Sequence, residues 1–294
     1  MSGNHKTGLE QESPESGGDT RAQINDNNFT VSLSETTDGG MTISSSFMLA
    51  NETMAGTDGD AGFTLAFTDG SSLELIDAGS AYAGAMASVP GASGEQGVGG
   101  TTTNNAPTGL AFAAGSTVLG VEWHSAADAM GVDGMKFSVS GSFNGDATTH
   151  TGTSTAVVDT GYAVGVTYVT TAGDTSVTVG AGYSSASLNN SSATKDENNG
   201  QIGISAVTGD LTVAVGFADG DDITSTGTAT NDVQVDAEVV KAGVKYVSGD
   251  LTFNVGVASG TSQDSATAGT AGTTEDSKDV VSASISYAVA SGVT

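Results

Sequence analysis

Several residue types are scarce in this chain, and each scarcity argues against a class of protein. The 294 residues include no cysteine, 3 prolines, and 7 lysines and arginines against 34 aspartates and glutamates. Nucleic-acid binding needs a basic surface, which a formal net charge of −27 does not supply. The apolar runs fall well short of the roughly 18 residues that a membrane-spanning helix needs. The absence of cysteine fits an exported protein and equally a chance composition.

Bulky apolar residues are scarce as well, which limits the core that the chain can build. Aromatic residues make up 5% of the sequence, and much of the apolar total is alanine and valine. Helical apolar spacing is nearly absent, because glycine, threonine and serine interrupt it. Two architectures tolerate this composition: a barrel with a water-filled interior, and a low-complexity or solenoid-like secreted protein.

The acidity has two interpretations that the sequence leaves open. A strongly negative net charge keeps a soluble surface solvated, as in proteins from salty habitats. The same charge on the wall or mouth of a channel attracts cations.

Alternating apolar and polar residues predict β-strands along most of the chain. The pattern is clearest in five segments, residues 162–168, 177–183, 211–218, 251–258 and 281–289. Tight glycine- and aspartate-containing turns alternate with long polar loops, which predicts an antiparallel up-and-down meander of hairpins with one short rim. We count about 13 strands, a size consistent with a large barrel.

The two ends of the chain and one long loop interrupt this pattern. Residues 1–26 are predicted to be disordered or irregular, and they contain no apolar run typical of a signal peptide. Residues 27–294 are predicted to form the β-barrel domain. Within that domain, residues 77–116 form a long irregular stretch.

One strand carries a change of phase. Apolar residues occupy odd positions from Val233 to Val239 and even positions from Val240 to Tyr246. A β-bulge near residues 239–240 is the predicted cause.

Tyrosines on the apolar face suggest contact with a membrane. Amphipathic aromatic residues form two belts at the interfaces of transmembrane barrels. The alternative is that tyrosine is simply a good strand former. The membrane-interface candidates are Tyr162, Tyr168, Tyr183, Tyr246 and Tyr287.

Two stretches of the sequence resemble the general diffusion porins of Gram-negative bacteria, particularly the alphaproteobacterial, Rhodobacter-like type. Residues 28–52, NFTVSLSETTDGGMTISSSFMLANE, look like the second strand, first periplasmic turn and third strand of those proteins. Residues 63–82, FTLAFTDGSSLELIDAGSAY, are similar to the next hairpin and the start of the inward-folded third loop. The resemblance implies a transmembrane barrel of about 16 strands in the outer membrane. The first strand and the last two are then expected to be missing, so the chain is expected to be incomplete at both ends.

The resemblance also implies passive diffusion of small hydrophilic solutes and ions through a water-filled pore, usually in a homotrimer surrounded by lipid and lipopolysaccharide. In this resemblance, residues 77–116 correspond to the third loop, which folds inward and constricts the pore. We expect weak to moderate cation preference. The pore-lining candidates are Asp77 and Glu95 in the loop, with Glu74, Glu122, His124, Lys136, Asp236, Glu238, Lys241 and Lys245 on the wall.

No enzymatic motif is evident, and no cofactor is expected. The three histidines, His5, His124 and His150, lack the short spacing of metal ligands, so no metal site is predicted among them. The acidic stretches 58–60 and 219–222 are either weak Ca²⁺ sites or solvated turns. The competing function is that of a secreted or surface-layer β-rich structural or adhesion protein, which explains the charge but not the alternation of short turns and long loops.

Overall fold

The structure is a computed structural model. It describes residues 2–12, 20–50, 62–76, 81–85, 87–91, 119–143, 157–190, 193–224, 233–263 and 275–288.

The described residues form one antiparallel sheet in which every strand pairs with its neighbours in the sequence. The sheet has 14 strands in the order β1 to β14, an up-and-down meander. The strands are β1 (Ser2–Glu12), β2 (Thr20–Thr36), β3 (Thr42–Ala50), β4 (Phe63–Ala66), β5 (Ser72–Ile76), β6 (Leu119–His124), β7 (Met135–Phe143), β8 (Val157–Ala172), β9 (Thr175–Asn190), β10 (Ala193–Thr208), β11 (Leu211–Thr224), β12 (Val233–Ser248), β13 (Leu251–Gln263) and β14 (Glu275–Tyr287). The prediction of an all-β antiparallel meander is confirmed.

The short turns lie where glycine and aspartate predict them. β10 and β11 are joined by Gly209 and Asp210, and β12 and β13 by Gly249 and Asp250. Gly209 has a φ of 54° and Gly249 a φ of 58°. A positive φ at the first central residue is what a type II′ hairpin turn requires, and glycine adopts it without a steric penalty.

The N-terminal segment differs from its prediction. Residues 1–26 are predicted to be irregular, but β1 spans Ser2–Glu12 and β2 begins at Thr20. β1 pairs with β2 along its whole length, from Ser2 opposite Thr30 to Glu12 opposite Thr20. Backbone hydrogen bonds form a ladder whatever the side chains are, so a polar composition does not prevent a strand beside an existing edge. The segment at residues 29–35 is therefore part of the second strand, and a first strand precedes it.

The predicted bulge in β12 is also wrong. β12 pairs with β11 and with β13 in unbroken register through Val239 and Val240. Val239 is 2% exposed on one face, whereas Val240 is 52% exposed on the other. Val239 pairs with Ala218 and Gly260, whose small side chains leave room for an apolar residue on that face. The register shift that does occur lies between Val158 and Thr160 in β8.

Helical structure in the described part of the chain is limited to α1 (Ala81–Gly84) and a 3₁₀ turn at Ala129–Gly131. No helix among those residues is long and apolar enough to cross a membrane.

Candidate functional site

The two faces of the sheet have opposite character. Along β11, Val213, Val215 and Phe217 are exposed, whereas Ala214 and Ala218 between them are buried. The same alternation puts exposed valines, isoleucines and tyrosines on one face of β8, β10 and β12 to β14, and buried small or polar residues on the other face of β8, β10, β12 and β13. We call the exposed apolar face the outer face and the opposite one the inner face.

Residues 81–85 and 87–91 lie on the inner face. Ala81 and Ala85 approach β8 at Gly165, and Ala85 also approaches β9 at Gly180. Further along, Pro90 lies against Gly243 of β12, and Gly91 lies against the β13 backbone at Val255 and Gly256. One short segment reaches strands from β8 to β13 only if the sheet curls around it. These residues are the described part of the predicted constriction loop.

Two hydrogen bonds attach the start of this segment to the inner face. The backbone N–H of Ala81 donates to Ser140 Oγ of β7, 3.0 Å away in a buried setting. The amide Nε2 of Gln201 in β10 donates to the carbonyl oxygen of Tyr82. The short helix is thereby fixed between β7 and β10.

Glycine on the inner face allows this close approach. A Cβ added to Gly243 would lie 2.8 Å from the carbonyl carbon of Pro90 and 3.1 Å from its nitrogen. A Cβ on Gly180 would lie 3.0 Å from the carbonyl carbon of Ala85. The two carbon–carbon distances, 2.8 and 3.0 Å, are too short for non-bonded contacts, which are optimal at about 3.5–4.0 Å. The inner face therefore accepts residues 81–91 because these positions lack side chains.

Tyr82 and the two strands β9 and β10 carry buried polar groups. Its side chain is buried, and burial, with a contribution from Asp219, raises the pKa of Tyr82 to about 12. Ser184 and Asn199 face each other across β9 and β10 and are 0% and 1% exposed. The hydroxyls of Tyr82 and Ser184 and the side-chain amide of Asn199 have no hydrogen-bond partner within the described residues. Ordered water is the usual partner of such groups.

Three of the predicted wall residues form a cluster on β5 and β6. Glu74 and Glu122 are directly opposite each other in the register, and His124 lies on the same face as Glu122. His124 Nε2 is 3.5 Å from Glu74 Oε1 and 3.7 Å from Glu122 Oε1. Glu122 is 3% exposed, so its carboxylate is almost fully removed from water.

The predicted lysines also lie on the inner face. Lys136 is on β7, exposed, and borders a cavity shared with His124, Thr167 and Gly84. Lys241 and Lys245 flank Gly243 on β12, on either side of the residue that underlies Pro90. Residues 81–91 thus run from the β7–β8 region, next to the carboxylate cluster, to the two lysines of β12.

The remaining wall candidates divide into two groups. In an unbulged β12, Glu238 shares the face of Val240, so the prediction that Glu238 shares a face with Lys241 and Lys245 is wrong, and the side chain of Asp236 lies outside the described residues. Glu238 is exposed there, opposite Asp219. Asp77 and Glu95 lie outside the described residues.

The predicted interface tyrosines all lie on the outer face. Tyr162 is 53% exposed and its ring centroid is 6.4 Å from that of Tyr183, whose hydroxyl donates to Asn198 Oδ1 at 2.9 Å. Tyr246 pairs with Leu211 and Phe253, and Tyr287 with Leu251, next to the short turns. Tyr168, on β8, is 38% exposed. Trp123 contacts Phe137 edge to face at 5.2 Å on the same side of the sheet.

Sequence reasoning missed the residues that seat the loop. Ser140, Gln201, Gly165, Gly180 and Gly243 were not singled out. A signal was present, because glycine recurs at inward positions between outward valines and tyrosines, as at Gly165 between Val164 and Val166. A glycine in a strand marks a close backbone approach.

Comparisons with known proteins agree on one architecture. The family model described as Gram-negative porin matches residues 1–294. A porin refined at 1.8 Å resolution superposes with a TM-score of 0.60 at 16% identity, covering 97% of this chain and 98% of that one. In-vitro folded OmpT, an outer membrane protein of Vibrio cholerae, superposes with a TM-score of 0.58 at 14% identity, covering 98% and 81%. A search of curated proteins found no match.

At these identities the superpositions establish the fold. The curl of the sheet around residues 81–91 belongs to an antiparallel up-and-down β-barrel, as predicted. The inner face is the wall of the lumen, and the outer face is the lipid-facing surface.

Proposed function

This chain belongs to the Gram-negative porin family, and we propose from that premise that its pore prefers cations. It is an outer-membrane porin, through which solutes pass by diffusion. The cation preference, the subunit assembly and the residues that set selectivity are proposals.

The acidic short rim carries the proposal of cation preference. Each described short turn contains an aspartate and no lysine or arginine. All of these turns connect an even-numbered strand to the next odd-numbered one, so the meander brings them to the same end of the barrel. The rim aspartates are Asp38, Asp69, Asp128, Asp133, Asp174, Asp210 and Asp250. Negative charge at one mouth raises the local concentration of cations.

Local bonding keeps at least one of these groups charged. The backbone N–H and the hydroxyl of Ser71 both donate to Asp69 Oδ1, at 2.9 and 2.6 Å. These hydrogen bonds hold the pKa of Asp69 below its usual value, so this carboxylate stays ionised as the pH falls toward the ordinary range of aspartate.

Charges on the wall limit the preference. Glu74 and Glu122 attract cations, while Lys136, Lys241 and Lys245 repel them. We therefore propose a weak to moderate selectivity whose main source is the rim.

Neutralising the rim tests this proposal. We expect the triple variant D174N/D210N/D250N to shift the reversal potential in a KCl gradient toward zero. The screening length is about 10 Å at 0.1 M salt and about 3 Å at 1 M, so the shift should be larger in dilute salt. A reversal potential that favours chloride in the unmodified protein would contradict the proposal.

A matched control separates the rim from general charge. E238Q removes one negative charge from the outer face of β12, away from the lumen. We expect its reversal potential to equal that of the unmodified protein. If E238Q shifts the potential as much per charge as the triple variant, the effect is not specific to the rim.

We also propose a homotrimer in contact with lipopolysaccharide, on the strength of family membership and the exposed apolar outer face. The native mass of the detergent-solubilised protein tests the trimer, and a mass of one chain would overturn it.

Calcium binding at residues 58–60 or 219–222 remains a prediction, and so does the absence of enzymatic activity. The surface-layer alternative is not retained, because the chain belongs to a family of membrane channels.

A further inference from the structure

The side chains of Glu74, Glu122 and His124 bring three potential metal-ligand atoms close together. One ligand atom from each residue lies within 4.8 Å of the other two. The imidazole Nε2 is 3.5 Å from one carboxylate and 3.7 Å from the other. Donors bound about 2.0–2.1 Å from a tetrahedral zinc ion are separated by roughly 3.3 Å, so small side-chain rotations would bring all of them to one ion.

Glu122 supplies an independent observation. It is 3% exposed, and its electrostatic neighbours are His124, whose Nε2 lies 3.7 Å away, and the like-charged Glu74. A distance of 3.7 Å is too long for a hydrogen bond. A buried charge is costly unless it is closely paired, and buried carboxylates in proteins are paired or bind a metal ion.

The charges of the cluster match a divalent ion. Glu74 and Glu122 together carry two negative charges, which one divalent cation balances while the imidazole remains neutral. A protonated His124 balances only one of them. The buried setting of Glu122 favours the arrangement in which the charges cancel.

We propose that Glu74, Glu122 and His124 form a binding site for a divalent transition-metal ion of the zinc class on the lumen wall. One imidazole nitrogen with two carboxylate oxygens suits zinc, cobalt or nickel, whereas Ca²⁺ and Mg²⁺ take oxygen ligands. The His124 and Glu74 side chains are 37% and 32% exposed, so an ion in the lumen reaches the site. Water completes the coordination, as at zinc sites with three protein ligands. The proposed cation preference does not depend on this site, because its main source is the rim, so a failure to bind metal would leave that proposal standing.

Calorimetry of the refolded protein in detergent tests the site. Zn²⁺ is titrated in excess Mg²⁺, which occupies the many exposed carboxylates. We expect one saturable zinc site in the unmodified chain. H124A should weaken binding by about tenfold or more, since even residues that only support a metal ligand contribute about 10–100-fold. H150A, which removes another histidine of the chain, should bind zinc like the unmodified protein.

Cobalt gives a second readout that does not depend on affinity alone. Co²⁺ in a site with few, low-symmetry ligands gives visible d–d absorption, which H124A should lose and H150A should keep. E74Q serves as a second variant if H124A fails to refold, and circular dichroism checks the fold of each. The proposal would be overturned if the unmodified protein had no saturable zinc site, or if H124A and E74Q bound zinc as tightly as the unmodified protein. The cluster would then be a simple ion pair.

Discussion

Replacing Gly243 by valine is expected to lower the single-channel conductance and make the open current noisier. A Cβ at this position would lie 2.8 Å from the carbonyl carbon of Pro90, well inside contact distance. Residues 87–91 would have to move away from the wall by at least about 1 Å, because non-bonded carbons are optimally about 3.5–4.0 Å apart. Movement away from the wall is movement into the lumen, so the free cross-section falls.

The barrel itself is expected to tolerate this change. Valine is a better strand residue than glycine, and β12 keeps both of its ladders. G180V tests the other half of the segment, because Gly180 underlies Ala85. Single-channel recording in planar bilayers measures the conductance, and liposome swelling with sugars of increasing size measures the free cross-section.

Gly200 provides a control on the opposite face, because it pairs with Tyr183, whose side chain lies on the outer face. It lies on β10, and the nearest atom to an added Cβ is the carbonyl oxygen of Asp219, 4.0 Å away. We expect G200V to conduct like the unmodified protein. If G243V and G180V also leave the conductance and the sugar cut-off unchanged, residues 81–91 do not narrow the path of ions.

The strands and turns could be predicted because their signals are local. Alternation in β11 and β13, and the glycine–aspartate turns beside them, depend on residues within a few positions of each other. The extent of the strands was harder to predict. β9 continues to Asn190 and β11 to Thr224, beyond the predicted segments 177–183 and 211–218, because a paired neighbour satisfies the backbone whatever the side chains are.

The site could be predicted only in part, because its residues meet through long-range register. Glu74, Glu122 and His124 were each expected on the wall. Their convergence follows from the pairing of β5 with β6, which are separated by more than 40 positions of chain between Ile76 and Leu119. A search for closely spaced histidines could not find this cluster. Likewise, β12 shows that an apolar residue can face the lumen, since Val239 is accommodated by Ala218 and Gly260.

Placing arginine at Val215 is expected to destabilise the protein in a lipid bilayer by about 2–4 kcal/mol. Val215 is 46% exposed on the outer face and lies between Val213 and Phe217, in the middle of the apolar stretch of β11. Its neighbours in the ladder are Ile204 and Ala242, and Ile204 is exposed on the same face. A guanidinium there would have to remain in hydrocarbon or distort the bilayer to reach water. Urea unfolding in lipid vesicles measures the free energy of unfolding.

The same substitution at Leu211 separates a lipid effect from a general intolerance of charge. Leu211 directly follows the Gly209–Asp210 turn and pairs with Tyr246, so it lies at the edge of the apolar band. The cost of arginine on the lipid face falls to about 0–1 kcal/mol near the interface, where the side chain reaches the polar headgroups. We therefore expect L211R to lose far less stability than V215R. Equal losses in the two variants would mean that depth along β11 does not matter, and the outer face would then not be the lipid-facing surface.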